Sequence, residues 1–280
     1  MLGYSSLSRL ALLGFVAACA PRTLSLVDFA ADTGLAPDSS DDGPGDAADA
    51  GNPPNLLRGL VGLWHCDDGV GSSTVADSSG NSNDGTLVNL DPALAWAAGP
   101  QAGAGALATN DAGYAFVPDS PSIDGITTQV TVSAWVFLNG TISTADGYGT
   151  AISREAGSGD LQYYHLSLYQ DGSPTLFIGM SATVVGVRVT APQPIARKKW
   201  THLAGTYDGA RAVLYVNGVE AFSRPISGTF PVDVTPVILG GNGNKVGITE
   251  WFPGSIDEIA LYSRALGPEE IHLLFTQVSF

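Results

Sequence analysis

The sequence predicts an all-β protein, two antiparallel sheets packed face to face, and three observations predict it. Glycine (35) and proline (17) are abundant and only 14% of the 280 residues are charged, which is the composition of short strands joined by tight turns. Apolar and polar residues alternate over short runs with the two-residue period of a strand. Two dipeptides that favour tight hairpins, Asp208-Gly209 and Asn217-Gly218, stand between such runs. The formal charge of −15 argues against a nucleic-acid surface, because phosphate contacts need clustered Lys and Arg. Arg197-Lys198-Lys199 is the sole basic cluster and is expected to be a solvated turn before a strand.

From the N-terminus, Arg9 precedes the apolar run "LALLGFVAAC", too short to span a bilayer and suited to the core of an export signal. It ends Val16-Ala17-Ala18-Cys19, which resembles the lipobox of bacterial lipoproteins. That resemblance implies a signal peptide over residues 1–18 and diacylation of Cys19, hence an exported protein anchored to the cell envelope by lipid. A secreted protein cleaved near the same point is the alternative. With Cys19 acylated or removed, Cys66 has no partner within the chain, and no structural disulfide is expected. Residues 19–55 are expected to form an acidic, disordered tether. From Ala20 to Asn55 there are seven Asp, no Glu and one Arg among many Pro, Gly, Ala and Ser, a composition that cannot bury a core.

From residue 56 strands take over. The pattern places them near 60–65, 85–90, 104–108, 114–118, 148–153, 174–179, 184–190, 236–240 and 254–263. In "QVTVSAWVFL", Val130, Val132, Ala134 and Val136 face one way and Thr131, Ser133, Trp135 and Phe137 the other; in "QYYHLSLY", Tyr164, Leu166 and Leu168 share a face. "KWTHLAGTYDGARAVLYVNGVEAFSRP" predicts a three-stranded meander, and "GPEEIHLLF" a helical turn or two. In "GSIDEIALYSRAL", strict alternation puts Asp257 with Ile259 and Leu261, and Glu258 on the other side. A carboxylate among apolar neighbours needs water, an arginine or a cation.

Five blocks in order, "GLVGLWHCDDGVGSSTVADSSGNSNDGTL", "YAFVPDSPSI", "VTVSAWVFL", "KWTHLAGTYDGARAVLYVNGVEA" and "FPGSIDEIALYSRALGPEEI", resemble the laminin-G-like, concanavalin A-like lectin/glucanase family over roughly residues 58–276. The resemblance implies one jelly-roll domain over 56–280. His65-Cys66 departs from the family, which usually has a Pro or small residue followed by an aromatic there. Trp64, Trp135, Trp200 and Trp251-Phe252 fall in blocks where the family packs its core.

No nucleophile elbow occurs, and His65, His165, His202 and His272 lack metal-type spacing. Glucanases of the resembled fold set carboxylates alternately on one strand, and none of the six glutamates opens such a series. The domain is therefore expected to be non-catalytic and to bind glycan or an extracellular protein. The alternatives are a degenerate or unrecognised glycan-active enzyme and an adhesive envelope protein. Aromatic platforms for sugar are expected among Trp96, Tyr148, Tyr163 and Tyr169. The resemblance also implies a structural Ca²⁺ between the loop after the first strand and an Asp of the last. That loop holds Asp67, Asp68, Asp77, Asn81, Asn83 and Asp84, hard oxygens of the kind calcium prefers. Asp67, Asp77, Asn83 and Asp257 are the expected ligands.

Overall fold

The computed structural model describes residues 54–280 apart from 110–112, 156–161, 181–185, 232–233, 245–246 and 278–280. The signal segment, Cys19 and the acidic tether lie outside the described residues. Strands in chain order are β1 (Leu60–Trp64), β2 (Thr74–Val75), β3 (Gly85–Val88), β4 (Trp96–Ala98), β5 (Gly105–Ala108), β6 (Tyr114–Val117), β7 (Val130–Leu138), β8 (Tyr148–Glu155), β9 (Gln162–Tyr169), β10 (Pro174–Ile178), β11 (Val187–Thr190), β12 (Trp200–Tyr207), β13 (Arg211–Val216), β14 (Val219–Pro225), β15 (Val237–Leu239), β16 (Asn242–Asn244), β17 (Gly247–Thr249) and β18 (Gly254–Tyr262). A short helix α1 (Pro121–Asp124) starts at the cap Ser120, and α2 (Pro268–Gln277) ends the fold.

The strands make two antiparallel sheets. Sheet A runs β14-β13-β12-β7-β18-β5-β4, with β1 also paired to β18; sheet B runs β11-β10-β9-β8-β15-β6-β3-β2. β16 and β17 form a separate hairpin. Between the sheets lies the core: Trp64, Leu107, Val132, Val136, Leu203, Leu214 and Leu261 from sheet A meet Val117, Ile152, Leu166, Leu176, Val189 and Leu239 from sheet B. These are the inward positions of the alternation, so the apolar period and the layer structure are one fact seen twice.

The meander forms as β12-β13-β14. Asn217 and Gly218 both take positive φ, 51° and 76°, as a two-residue turn of matching twist requires. At the other hairpin Asp208 Oδ1 accepts from the backbone N–H groups of Ala210 and Arg211 at 2.8 and 2.7 Å, and Gly209 takes φ 96°. Arg197-Lys198-Lys199 is an exposed turn leading into β12.

β18 breaks the alternation. Its register against β7 passes from Asp257↔Trp135 to Ala260↔Ser133, and Glu258 takes φ 46°, so an extra residue bulges out. Ile256, Ile259 and Leu261 all join the core, which strict alternation forbids for 256 together with 259. The expectation that Asp257 shares a side with Ile259 and Leu261 is thereby corrected: Asp257 stands opposite Trp135, which stands opposite His202, on the outer face of sheet A. There α2 supplies a lid. Phe275 stacks on Trp135 with ring centroids 5.7 Å apart, and His202 lies 5.6 Å from Trp135. Trp135 is thus buried, as expected, but under the helix rather than between the sheets.

Candidate functional site

The outer face of sheet B carries what the core leaves over. Cross-strand pairing sets Arg188, Phe177, His165 and Ser153 in one row, Thr190, Thr175, Ser167 and Thr150 in the next, and Tyr169 beside Tyr148. Residues directly opposite in an antiparallel pair share a face, so these side chains make one surface. The two tyrosine rings lie 5.1 Å apart at 54°, both partly exposed. Arg188 extends its guanidinium over Tyr148 and Phe177, 5.2 and 5.6 Å from their centroids.

Beneath the rings is a polar floor. Thr150 Oγ1 lies 2.8 Å from Ser167 Oγ and donates to Glu250 Oε2 at 3.0 Å, and Asn242 Nδ2 donates to the same oxygen at 3.0 Å. His165 Nδ1 is 2.9 Å from Ser167 Oγ and 3.8 Å from Glu250 Oε2. Glu250 is anchored a second way, its carbonyl accepting from Thr150 N–H at 2.9 Å. Burial pushes the His165 imidazole down to about 3, with Arg188 adding to the fall, so the ring is neutral. Burial raises the Glu250 carboxyl against the pull of Asn242 and Thr150. Burial thus biases both floor groups toward their neutral forms, and above them the Arg188 guanidinium is exposed, with acidic Asp146 at the rim. Such a surface can stack against an apolar ring face and trade hydrogen bonds at its edges. A cavity of about 340 Å³ between residues 191–196 and β12–β14 is lined by Pro192, Pro194, Ile195, Lys199 and Val216 with no aromatic ring, and offers no comparable chemistry.

Of the four expected platforms, Tyr148 and Tyr169 come together here. Tyr163 does not. It is 2% exposed and belongs to the core cluster, under the Arg154 guanidinium, so it is corrected from platform to packing residue. Trp96 sits on sheet A, away from the tyrosine pair, half-buried against the core with Nε1 donating to the Ser72 carbonyl at 3.1 Å.

The four expected calcium ligands occupy two places. Asp77 Oδ1 accepts from the N–H groups of Leu63 and Ser79, and Oδ2 from Asn83 N–H and Ser79 Oγ. Asn83 Nδ2 donates to the Val61 carbonyl at 2.7 Å and to Ser122 Oγ. Both residues therefore staple the loop to β1. Asp257 on β18 feels the charge of Asp67, whose Oδ1 accepts from Gly105 N–H of β5. Among the described residues no three of His, Cys, Asp or Glu are grouped to hold a metal ion. Asp257 itself is 1% exposed, its Oδ1 is buried without a hydrogen-bond partner, and burial followed by the Glu258 charge pushes its carboxyl well above the usual range. Beside it Cys66 is a buried free thiol, raised by burial and then by Asp257, while Glu258 turns outward to His65 at 2.9 Å.

Arg188, Phe177, His165 and Glu250 were not singled out from the sequence. A signal for three of them exists: in 162–169, 174–178 and 187–190 they are the alternates left off the apolar face. Glu250 follows β17 and joins this floor only through its bonds to Thr150 of β8 and Asn242 of β16, for which no local pattern speaks.

With this geometry in hand, comparison with known proteins places the chain. The sequence profile of the concanavalin A-like lectin/glucanases superfamily matches residues 109–272. Domain 4 of AbnA, a GH43 extracellular arabinanase from Geobacillus stearothermophilus, solved in complex with arabinotriose, is 25% identical with a TM-score of 0.57; the match covers 78% of this chain and 98% of that one. The binding domain of Paraclostridial Mosquitocidal Protein 1 is 20% identical (TM-score 0.56), covering 78% of this chain and 52% of that one. The binding domain of Botulinum Neurotoxin DC in complex with SialylT is 13% identical (TM-score 0.59), covering 80% and 52%. At those identities the two toxin domains speak to fold alone, and this chain spans about half their length. No match was found among curated proteins.

Proposed function

The chain belongs to the concanavalin A-like lectin/glucanases superfamily, and from that premise we propose that it is a non-catalytic glycan-binding protein held at the bacterial cell envelope by a lipid on Cys19. The observation that carries the binding reading is the pair Tyr148 and Tyr169, two partly exposed rings 5.1 Å apart above a floor of Thr150, Ser167 and Glu250. Aromatic rings take the apolar face of a pyranose or furanose, and fixed hydroxyl and amide groups beneath them read its hydroxyls. The complex of the arabinanase domain with arabinotriose supports the same class of ligand. The binding reading does not need Glu250 as an acid or base, since its Oε2 already serves as acceptor for Thr150 and Asn242. The anchoring reading rests on the apolar run ending in Ala18-Cys19 and the acidic tether after it.

The test is a panel of immobilised oligosaccharides read with the purified full chain. Tyr148→Ala and Tyr169→Ala should each weaken binding by about tenfold or more while leaving the melting transition near wild type. Binding unchanged in both variants, or release of reducing sugar by the wild type, would overturn the reading.

A further inference from the structure

We propose that the outer face of sheet B is selective for a glycan residue bearing a carboxylate, with Arg188 as the residue that pairs with it. This rests on the reading of that face as glycan-binding. Arg188 is exposed, and its guanidinium lies over Tyr148 and Phe177. Among the described residues it takes part in none of the ion pairs, which go instead to His65, Arg154, His165, Arg211 and Arg264. Two aromatic faces position the guanidinium without neutralising it, and the N–H groups along its edge stay available to an acceptor.

The acid of the floor feels the Arg188 charge but makes no ion pair with it. Glu250 is 5% exposed and its Oε2 already accepts from Thr150 and Asn242. A planar guanidinium matches a planar carboxylate with two parallel hydrogen bonds, which a neutral hydroxyl cannot reproduce. One cation matches one charge. A densely sulfated or phosphorylated polymer needs several cations and would meet the field of a −15 chain, so a singly charged acidic sugar is the better fit. In this arrangement Tyr148 serves twice, as stacking plate for the ring and as seat for the cation that reads its acid.

Calorimetric titration of the full chain would use oligogalacturonate, oligomannuronate and sialyllactose, each beside its methyl-esterified form, with neutral arabino- and galacto-oligosaccharides alongside. At least one acid should bind about tenfold or more tighter than its ester, with the advantage shrinking as salt rises. Arg188→Gln should bind acid and ester alike, at the affinity wild type has for the ester, and Tyr148→Ala should weaken both. Arg188→Lys, which keeps the charge and loses the fork, should recover only part of the preference. Acids that bind no better than their esters or the neutral sugars, or a preference that survives Arg188→Gln, would overturn the carboxylate inference and leave the glycan reading standing. Binding to no member of the panel, neutral or acidic, would overturn both.

Discussion

At Asp257 the fold does something that ordinary core chemistry avoids. A carboxyl with one oxygen buried and unpartnered, beside Glu258 and Asp67 and with no arginine in its ion pairs, keeps its proton more tightly folded than unfolded. The sign follows from that. A carboxyl whose folded pKa lies above its unfolded value loses stability as pH rises from the ordinary Asp range through the raised value. Asn copies the protonated form, so Asp257→Asn should melt higher than wild type at about pH 8 in chelator and flatten the wild-type decline. Thermal melts at several pH values, with chelator and with calcium, check this. A variant that melts lower than wild type only when calcium is present would instead give Asp257 a cation, the partner the family resemblance implied. The sequence exposed the problem, a carboxylate in an apolar strand, but mis-set its side of the sheet. A one-residue bulge at Glu258 leaves no mark in a pattern of period two.

Between residue and molecule, the two hairpins of the meander test how far local turn chemistry explains local stability. Both Gly209 and Gly218 hold positive φ, so alanine strains the backbone at either. At Gly209 an added Cβ meets nothing nearer than a backbone oxygen at 3.6 Å. At Gly218 it meets His272 and Phe275 of α2 at 3.1 Å. Gly218→Ala should therefore cost about 1 kcal/mol more than Gly209→Ala in urea denaturation, because it also pries the helix from the sheet. Trp135 fluorescence should shift to the red only in Gly218→Ala, since Phe275 is what covers that ring. Equal losses and equal spectra would mean that α2 does not clamp the hairpin. The turns themselves were legible, because Asp-Gly and Asn-Gly carry their conformation with them. The docking of α2 over Trp135 was not, since it depends on which sheet face a ten-residue amphipathic segment finds.

On the scale of the whole chain, the proposed anchor predicts a clean chemical outcome. Radiolabelled palmitate should enter the full-length wild type expressed in a bacterial host and not Cys19→Ser, and equal labelling of both would remove the lipid from the account. What the sequence by itself determined is the architecture. Gly-rich turns and inward apolar alternates define nearly every strand of both sheets, because each such signal is local and repeats many times. The same alternation held Tyr148, Tyr169, Phe177, His165 and Arg188 as outward residues, but on four separate strands with nothing to say which would be neighbours. Only the tertiary structure decided that they form one surface, that Tyr163 belongs to the core, and that Asp77 and Asn83 serve a loop while Asp257 lies elsewhere. The physical reason is sheet order. A strand's two faces are written in its own residues, whereas its neighbours are chosen by how all the buried faces pack at once.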